Sequence, residues 1–313
     1  MIDAIARASG TRTGLFTSPH LIDYRERIRV SGIEISQETT AKYLTELQEH
    51  VADWEHHPTF FELTLAVGMR YFRENNCELI ILETGMGGRL DATTAVPADL
   101  AVITPIAMDH SQWLGDTLAK VAAEKAGIIV SKKPVISSQQ APEAQDVIEQ
   151  HANELCSPLE FITSPLTGYG INLPGPHQRD NAALATAAVY EIGLPINSDI
   201  VRVALNHVTW PGRFEKIPPA TPNKPAAASA KREGQIILDA AHNPHAAEAL
   251  VATWKEEFPD QKATIIFGAV EGKNTDRVLA TLADIADHIH LTPIDSPRSL
   301  TGDDLVDALP ANT

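Results

Sequence analysis

The chain has 313 residues, of which 43% are hydrophobic and 21% charged, as in a globular protein with a large core. Acidic residues outnumber basic ones by 41 to 25, so the net charge is −16 and a nucleic-acid-binding surface is not expected. No apolar run has the roughly 18 residues of a membrane span. Cys77 and Cys156 are too few for a disulfide framework or a structural zinc site, so a protein of the reducing cytoplasm is predicted.

Strand-like and helix-like patterns alternate along the chain. Short apolar runs predict strands at 13–17, 79–85, 100–106, 133–138, 235–240 and 262–268. Helical patterns lie at 39–55, 59–75, 116–127, 142–155, 180–192, 243–257 and 275–286. Strands that are apolar throughout are typical of parallel sheets buried on both faces. The alternation therefore predicts an α/β fold with parallel sheets.

One segment interrupts this alternation. Residues 218–233 contain four prolines and no large apolar side chain, which indicates a loop. The phrase WPGRFE at 210–215 lies just before it. We therefore predict two domains, 1–210 and 211–313.

Polar residues follow several predicted strands, where ligands bind in an open α/β sheet. Glu83 ends one strand and is followed by a loop containing Gly85, Gly87 and Gly88. The glycines allow a backbone to approach a ligand, but the loop could equally be a tight turn beside a solvated carboxylate. The spacing G-x-G-G, with no helix opening directly from it, is a weak dinucleotide signal.

Two further strand ends carry possible metal ligands. Asp109 and His110 follow the strand at 100–106, and Ser18 follows the strand at 13–17. His110 could bind a metal or play a structural part. Ser18 could bind Mg²⁺ or form a serine turn.

The strand at 235–240 leads into Asp239 and His242, just before a helix that begins near Asn243 and Pro244. Polar groups at a helix N-terminus suit a phosphate or ribose, but for Asn243 ordinary capping is the favoured interpretation. Lys125 lies in another predicted helix and could simply pair with Glu124 or Asp116 at the surface. Because carboxylate, hydroxyl and imidazole groups outnumber thiols at these strand ends, Mg²⁺ is favoured over structural zinc.

Several phrases, taken together and in order, resemble the folylpolyglutamate synthase/dihydrofolate synthase family of the Mur-ligase superfamily. They cover most of the chain and are GLFTSPHLIDYRERIRVSG (14–32), TFFELTLAVGMRYF (59–72), LETGMGGRLDAT (82–93), ITPIAMDHSQWLG (103–115), AAEKAGI (122–128), HQRDNAALA (177–185), WPGRFE (210–215) and LDAAHNPHAA (238–247). The resemblance implies a central nucleotide-binding domain of the P-loop type and a smaller Rossmann-like C-terminal domain.

The resemblance also implies a reaction, the ATP-dependent joining of L-glutamate to dihydropteroate, a folate, or both. ATP converts a carboxylate of the acceptor into an acyl phosphate, and the amino group of glutamate displaces the phosphate. Two Mg²⁺ ions, small-molecule partners and a monomer are implied as well.

Site residues are carried over one by one from the matching phrases. Ser18, Glu83 and His110 match magnesium ligands, and Lys125 matches a lysine that the family carbamylates. Lys125, His110 and Glu83 form the implied catalytic set. The implied ATP contacts are Asn181, Arg213, Asp239 and His242. The implied pterin contacts are Thr59, Phe60, Phe61, Glu62, Leu90, Asp91 and Ala92, and one of the two phenylalanines is expected to pack in the helix core instead.

The sequence departs from the family pattern at both ends. Family members carry a phosphate loop of the GTNGKGS kind upstream of the SPHL strand, and they continue beyond the position of Pro310. We expect a truncated ligase, inactive as written, because the missing loop supplies phosphate-binding amides and a lysine. Thr94 stands where the family more often has asparagine.

Three other functions are compatible with parts of the sequence to different degrees. A shortened relative could bind folate or nucleotide without catalysis, and a related amide ligase could act on a non-folate carboxylate. A nicotinamide oxidoreductase using GMGGRLD is disfavoured, because the required G-x-G-x-x-G context is missing.

Overall fold

The computed structural model describes residues 1–109, 111–218 and 235–310, apart from the side chain of Ser111. The chain divides into two compact units, Met1–Asn172 with Arg179–Val208, and Leu173–Gln178 with Thr209–Thr313. We call them unit 1 and unit 2. The boundary at 210/211 stays a prediction.

Unit 1 contains both helices and strands, as predicted for an α/β fold, but consecutive strands and consecutive helices occur as well. In chain order they are α1 (Ile2–Ala8), β1 (Thr13–Phe16), β2 (Ile28–Val30), β3 (Ile33–Glu34), α2 (Gln37–Val51), α3 (Phe60–Glu74), β4 (Leu79–Leu82), β5 (Ala101–Ile103), α4 (Ser111–Leu114), α5 (Leu118–Ala126), β6 (Val135–Ser138), α6 (Pro142–Glu154), β7 (Leu159–Ile162), α7 (His177–Glu191) and α8 (Ser198–His207). Two short 3₁₀ helices, Tyr24–Arg27 and Ala92–Ala95, lie in the connections.

The described residues of unit 1 form two sheets. The first has the strand order β3-β2-β1-β4, with β1 parallel to β4 and antiparallel to β2. The second, β5-β6-β7, is parallel throughout. Because parallel strands place their carboxyl ends at one edge, β1 and β4 deliver Ser18 and Glu83 to the same edge.

The first sheet packs against α3. The helix begins at a capping box, in which Thr59 and Glu62 bond each other's backbone amides. Its buried side chain Phe72 lies so close to β1 that a Cβ at Gly14 would be 2.6 Å from the ring. Only glycine allows this approach, so the strand and the helix fit each other at this point.

Unit 2 consists of β8 (Glu215–Ile217), β9 (Ile236–Leu238), α9 (Pro244–Glu257), β10 (Ala263–Phe267), α10 (Thr275–Leu282), β11 (Ala286–Leu291) and α11 (Gly302–Asp307). The strands β10 and β11 are parallel, and their core includes Val278, Leu279 and Leu305. The Asn243 side chain caps α9, and Pro244 occupies its first turn.

The predicted α/β class with parallel sheets is confirmed, although antiparallel pairs occur beside β1 in unit 1 and in unit 2. The strand predicted at 235–240 was expected in a parallel sheet, yet β9 pairs antiparallel with β8. Its Ile236 and Leu238 are 58% and 49% exposed. Antiparallel pairs tolerate a solvent-facing side, whereas an apolar run alone does not reveal strand direction. The strands β2, β3, β7, β8 and β11 were not predicted.

Across the described parts of the chain, none of the helices combines the length and the apolar character needed to cross a membrane.

Truncating Phe72 should test the packing of α3 on β1. Phe72 is fully buried, so Phe72→Ala should lower the free energy of unfolding by about 3–5 kcal/mol through the cavity it leaves. Phe60→Ala removes the same ring from an exposed position of the same helix and should cost far less. Urea unfolding followed by circular dichroism measures both, and equal losses would contradict this account of the core.

Candidate active site

The predicted metal ligands Ser18 and Glu83 lie together in unit 1. The backbone amide of Ser18 donates to Oε2 of Glu83 at 2.8 Å, and the amide of Glu83 donates to the carbonyl of Phe16 at 2.9 Å. Ser18 is half-buried and Glu83 is exposed. Ser18 and Glu83 therefore lie side by side at one sheet edge, and their hydroxyl and carboxylate groups are oxygen ligands of the kind that a hard cation binds.

The loop after Glu83 docks on the end of α5, the helix that carries Lys125. The amide of Arg89 donates to the carbonyl of Glu124 at 2.8 Å. A Cβ at Gly88 would lie 2.6 Å from that carbonyl oxygen and 2.8 Å from that of Lys125. The Gly88 position is thus explained by contact between loop and helix, a function that the sequence analysis did not consider.

Lys125 is not the surface lysine of the simpler interpretation. The two partners proposed for it bond elsewhere, Asp116 to Lys120 at 2.7 Å and Glu124 to Arg89 at 2.9 Å. Burial lowers the pKa of the Lys125 amino group, and the charge of Asp109 opposes that shift. Lys125 is therefore half-buried close to Asp109, the residue that precedes His110.

The segment that leads to Asp109 is held by Gln140. The amide of Ile106 donates to Oε1 of Gln140 at 2.9 Å, and Nε2 of Gln140 donates to the carbonyl of Thr104 at 3.0 Å. Gln140 is buried, so these bonds are shielded from water. His110 itself lies outside the described residues.

Among the described residues, the predicted magnesium ligands form only part of a metal site. In the part of the chain that the structure describes, no three or more His, Cys, Asp and Glu side chains form a group able to hold a metal ion. Ser18 and Lys125 are not of those types, and magnesium is often held by one or two carboxylates together with substrate phosphates. The oxygen donors of Ser18 and Glu83 fit that pattern.

The predicted pterin-contacting residues divide into two kinds. Thr59 and Glu62 form the capping box of α3, and the Phe61 ring packs against Phe16 with centroids 5.6 Å apart. Phe60, in contrast, is 59% exposed, and Leu90 is 79% exposed. The expectation that one of the two phenylalanines packs in the core therefore agrees with the structure, which places Phe61 there.

Asp91 organises the loop around these residues, while its neighbour Ala92 is half-buried at the start of a 3₁₀ helix. The Oδ2 atom of Asp91 accepts from the amides of Gly85 and Met86 at 2.8 and 3.0 Å. Its Oδ1 atom accepts from the amide and hydroxyl of Thr93 at 3.0 and 2.6 Å. Four hydrogen bonds to one buried carboxylate fix the loop that follows Glu83.

The predicted ATP-contacting residues Arg213, Asp239 and His242 lie together in unit 2. They line a cleft of about 270 Å³ with His177, Asn243 and Thr253 among its other walls. Asp239 accepts from the amides of Phe214 and Ala241, each at 2.8 Å, so its carboxylate ties two loops together. Asn181, the fourth predicted contact, lies on α7 in unit 1.

Sequence reasoning missed the cleft residues His177, Gln178 and Thr253, and also Gln140. His177 and Gln178 belong to the phrase HQRDN, in which only Asn181 was predicted to contact a ligand. Gln140 and Thr253 left no signal, because nothing local marks a polar residue that bonds a distant loop.

Removing the Asp91 carboxylate should loosen the loop. Asp91→Ala deletes the acceptor for the amides of Gly85 and Met86, so their hydrogen-exchange protection should fall by about tenfold or more, given about 1.5–3 kcal/mol for a hydrogen bond to a charged group. Asp99→Ala removes an exposed carboxylate that pairs only at the surface with Lys133 and serves as the control. Unchanged protection in Asp91→Ala would show that the loop does not depend on this carboxylate.

Comparisons with known proteins agree on one family. A family model described as "Mur ligase, glutamate ligase domain" matches residues 227–313. A dihydrofolate synthase/folylpolyglutamate synthase of Bacillus subtilis is 31% identical over 98% of this chain and 76% of its own length.

Two solved structures have the same fold. A Mycobacterium tuberculosis folylpolyglutamate synthase complexed with ADP and AMPPCP superposes with a TM-score of 0.86 at 30% identity, covering 98% of this chain and 74% of the other. A bifunctional folylpolyglutamate synthase/dihydrofolate synthase with Mn, AMPPNP and L-glutamate bound gives 0.85 at 29% identity, covering 99% and 75%. This chain therefore belongs to the dihydrofolate synthase/folylpolyglutamate synthase family, within the Mur-ligase superfamily.

Proposed function

We propose that this chain is an ATP-dependent ligase that joins L-glutamate to dihydropteroate, to a reduced folate, or to both. The observation that carries the proposal is the shared sheet edge of Ser18 and Glu83, together with the loop that docks against Lys125. Relatives that are solved with nucleotide, manganese and glutamate support the same substrates. A cytoplasmic monomer without nucleic-acid or membrane partners completes the proposal.

The chemistry follows from the weakness of a carboxylate as an electrophile. A carboxylate oxygen of the acceptor attacks the γ-phosphorus of ATP, and ADP leaves. The amino group of glutamate then attacks the acyl carbon, inorganic phosphate leaves, and the amine loses a proton. Negative charge accumulates on the transferred phosphoryl group, so the site must neutralise it.

The residues of unit 1 have distinct parts in this scheme. Ser18, Glu83 and His110 would hold two Mg²⁺ ions, which supply charge neutralisation when bound. A carbamylated Lys125 would present a carboxylate-like group there. Phe60 and Leu90, which are exposed, are the side chains best placed to contact the flat acceptor.

In unit 2 we assign the cleft around Asp239 to the nucleotide. Arg213 and His242 are exposed there and can reach phosphate or ribose oxygens. The Asp239 carboxylate fixes the loops that carry them. Asn181 is assigned to the same ligand on the strength of the family resemblance alone.

A ligation assay distinguishes the proposed ligase from the alternative, a protein that binds the acceptor without catalysis. The assay measures ATP- and Mg²⁺-dependent joining of labelled L-glutamate to dihydropteroate and to tetrahydrofolate. It is run on the 313-residue chain and on the same chain preceded by any in-frame sequence of its gene. Product formation by either protein establishes the ligase and names the acceptor, whereas binding of acceptor without product in both would overturn catalysis.

Lys125→Met removes the amino group that we propose is carbamylated and so presents a carboxylate-like group to the metal ions. In a protein that makes product, we expect kcat to fall roughly 100-fold, the scale of losing one preorganised charge-stabilising group. Lys120→Met alters an exposed lysine of the same helix, paired with Asp116, and should leave kcat unchanged. Mn²⁺ binding followed by electron paramagnetic resonance should weaken in Lys125→Met only, and equal Mn²⁺ affinity in both variants would contradict the role of Lys125.

A further inference from the structure

Three neighbouring side chains that are not included in the predicted site lie near Phe60. We call His20, Tyr24 and Arg27 the Arg27 cluster. The guanidinium carbon of Arg27 lies 5.3 Å from the centroid of the Phe60 ring, a cation–π distance. Tyr24 meets the same ring edge-on with centroids 5.9 Å apart, and His20 meets Tyr24 at 6.4 Å. Phe60 is therefore held by its neighbours although it is exposed.

Arg27 is an unusual residue for this position because only 8% of it is exposed. Its Nε atom donates to Nδ1 of His20 at 2.8 Å, which places the proton of a neutral His20 on Nε2. Its carbonyl accepts from the amide of Thr17 at 3.0 Å, immediately before Ser18. The backbone of Arg27 is thus tied to the strand end that carries a proposed magnesium ligand.

The charge of Arg27 also reaches the proposed metal site. Burial lowers the pKa of its guanidinium, whereas the neighbouring Tyr24 and the negative charge of Glu83 raise it. Arg27 therefore contacts the exposed Phe60 ring and is near enough to Glu83 for their charges to interact. Burying a cation costs free energy unless neighbouring groups pair with it or accept its hydrogen bonds.

We propose that Arg27 is a positioning residue of the acceptor pocket, which holds the Phe60 ring as a wall for the flat ring system of the acceptor. The proposal rests on the proposed function, because it takes the acceptor to be a pterin. Arg27 covers one side of Phe60, and the ring remains 59% exposed, so a second flat group can stack on it. Arg27 then influences acceptor binding through Phe60 rather than by direct contact.

The test measures binding of dihydropteroate and of tetrahydrofolate by calorimetry, in the presence of a non-hydrolysable ATP analogue. We expect Arg27→Met to raise the Kd of the acceptor about tenfold, the scale of one desolvated cation–π contact, with the Kd of the ATP analogue unchanged. Phe60→Leu should have a similar effect. The double variant should bind no more weakly than Phe60→Leu alone, because Arg27 acts through that ring.

Matched variants separate this role from general damage. Arg25→Met changes an arginine of the same 3₁₀ helix whose guanidinium bonds Asp23 at 2.8 Å, and it should bind the acceptor as the wild type does. Arg27→Lys keeps the charge and should recover part of the affinity. It also replaces Arg27→Met in the comparison if circular dichroism shows that the methionine variant does not fold.

Three results would overturn the inference. An unchanged acceptor Kd in Arg27→Met and Arg27→Lys excludes a positioning role. Multiplying effects in the double variant exclude action through Phe60. Equal weakening of acceptor and nucleotide binding indicates a general structural role. A wild-type protein that binds neither acceptor overturns the proposed function as well, which distinguishes that failure from a failure of Arg27 alone.

Discussion

The docking of the loop 85–89 on the last turn of α5 is the constraint on which the site in unit 1 depends. The loop leaves β4 of one sheet, and α5 packs beside the other sheet, so this contact brings the two parts of unit 1 together. A backbone–backbone hydrogen bond from Arg89 to Glu124 and the bare Cα of Gly88 make the approach possible. It places the loop that follows Glu83 against the helix that carries Lys125.

Asp91 supports that contact from the other side of the loop. Its carboxylate accepts four hydrogen bonds within the chain, two of them from the amides of Gly85 and Met86. A buried carboxylate is stable only when such donors surround it. The loop is therefore fixed at both ends, by Asp91 at its start and by the α5 carbonyls at its end.

The sequence predicts the strand ends that carry Ser18 and Glu83, but it does not predict features that depend on distant parts of the chain. The strand that ends at Glu83 and the one that leads to Ser18 are apolar runs, and their shared edge follows from parallel pairing. The antiparallel pairing of β9 could not be predicted, since strand direction is decided by a distant partner. The same holds for Gln140, whose partners Thr104 and Ile106 lie more than thirty residues away in the chain.

The phrases that identify the family mix two kinds of residue, and only the structure separates them. In TFFE, Thr59 and Glu62 are engaged in capping α3, and Phe61 packs against Phe16. Phe60 alone points a large exposed surface outward. In RLDAT, the Asp91 carboxylate accepts hydrogen bonds from the loop, whereas the Leu90 side chain is exposed. The two phrases therefore consist largely of residues that build the local structure, and we propose that the exposed side chains Phe60 and Leu90 make the ligand contacts.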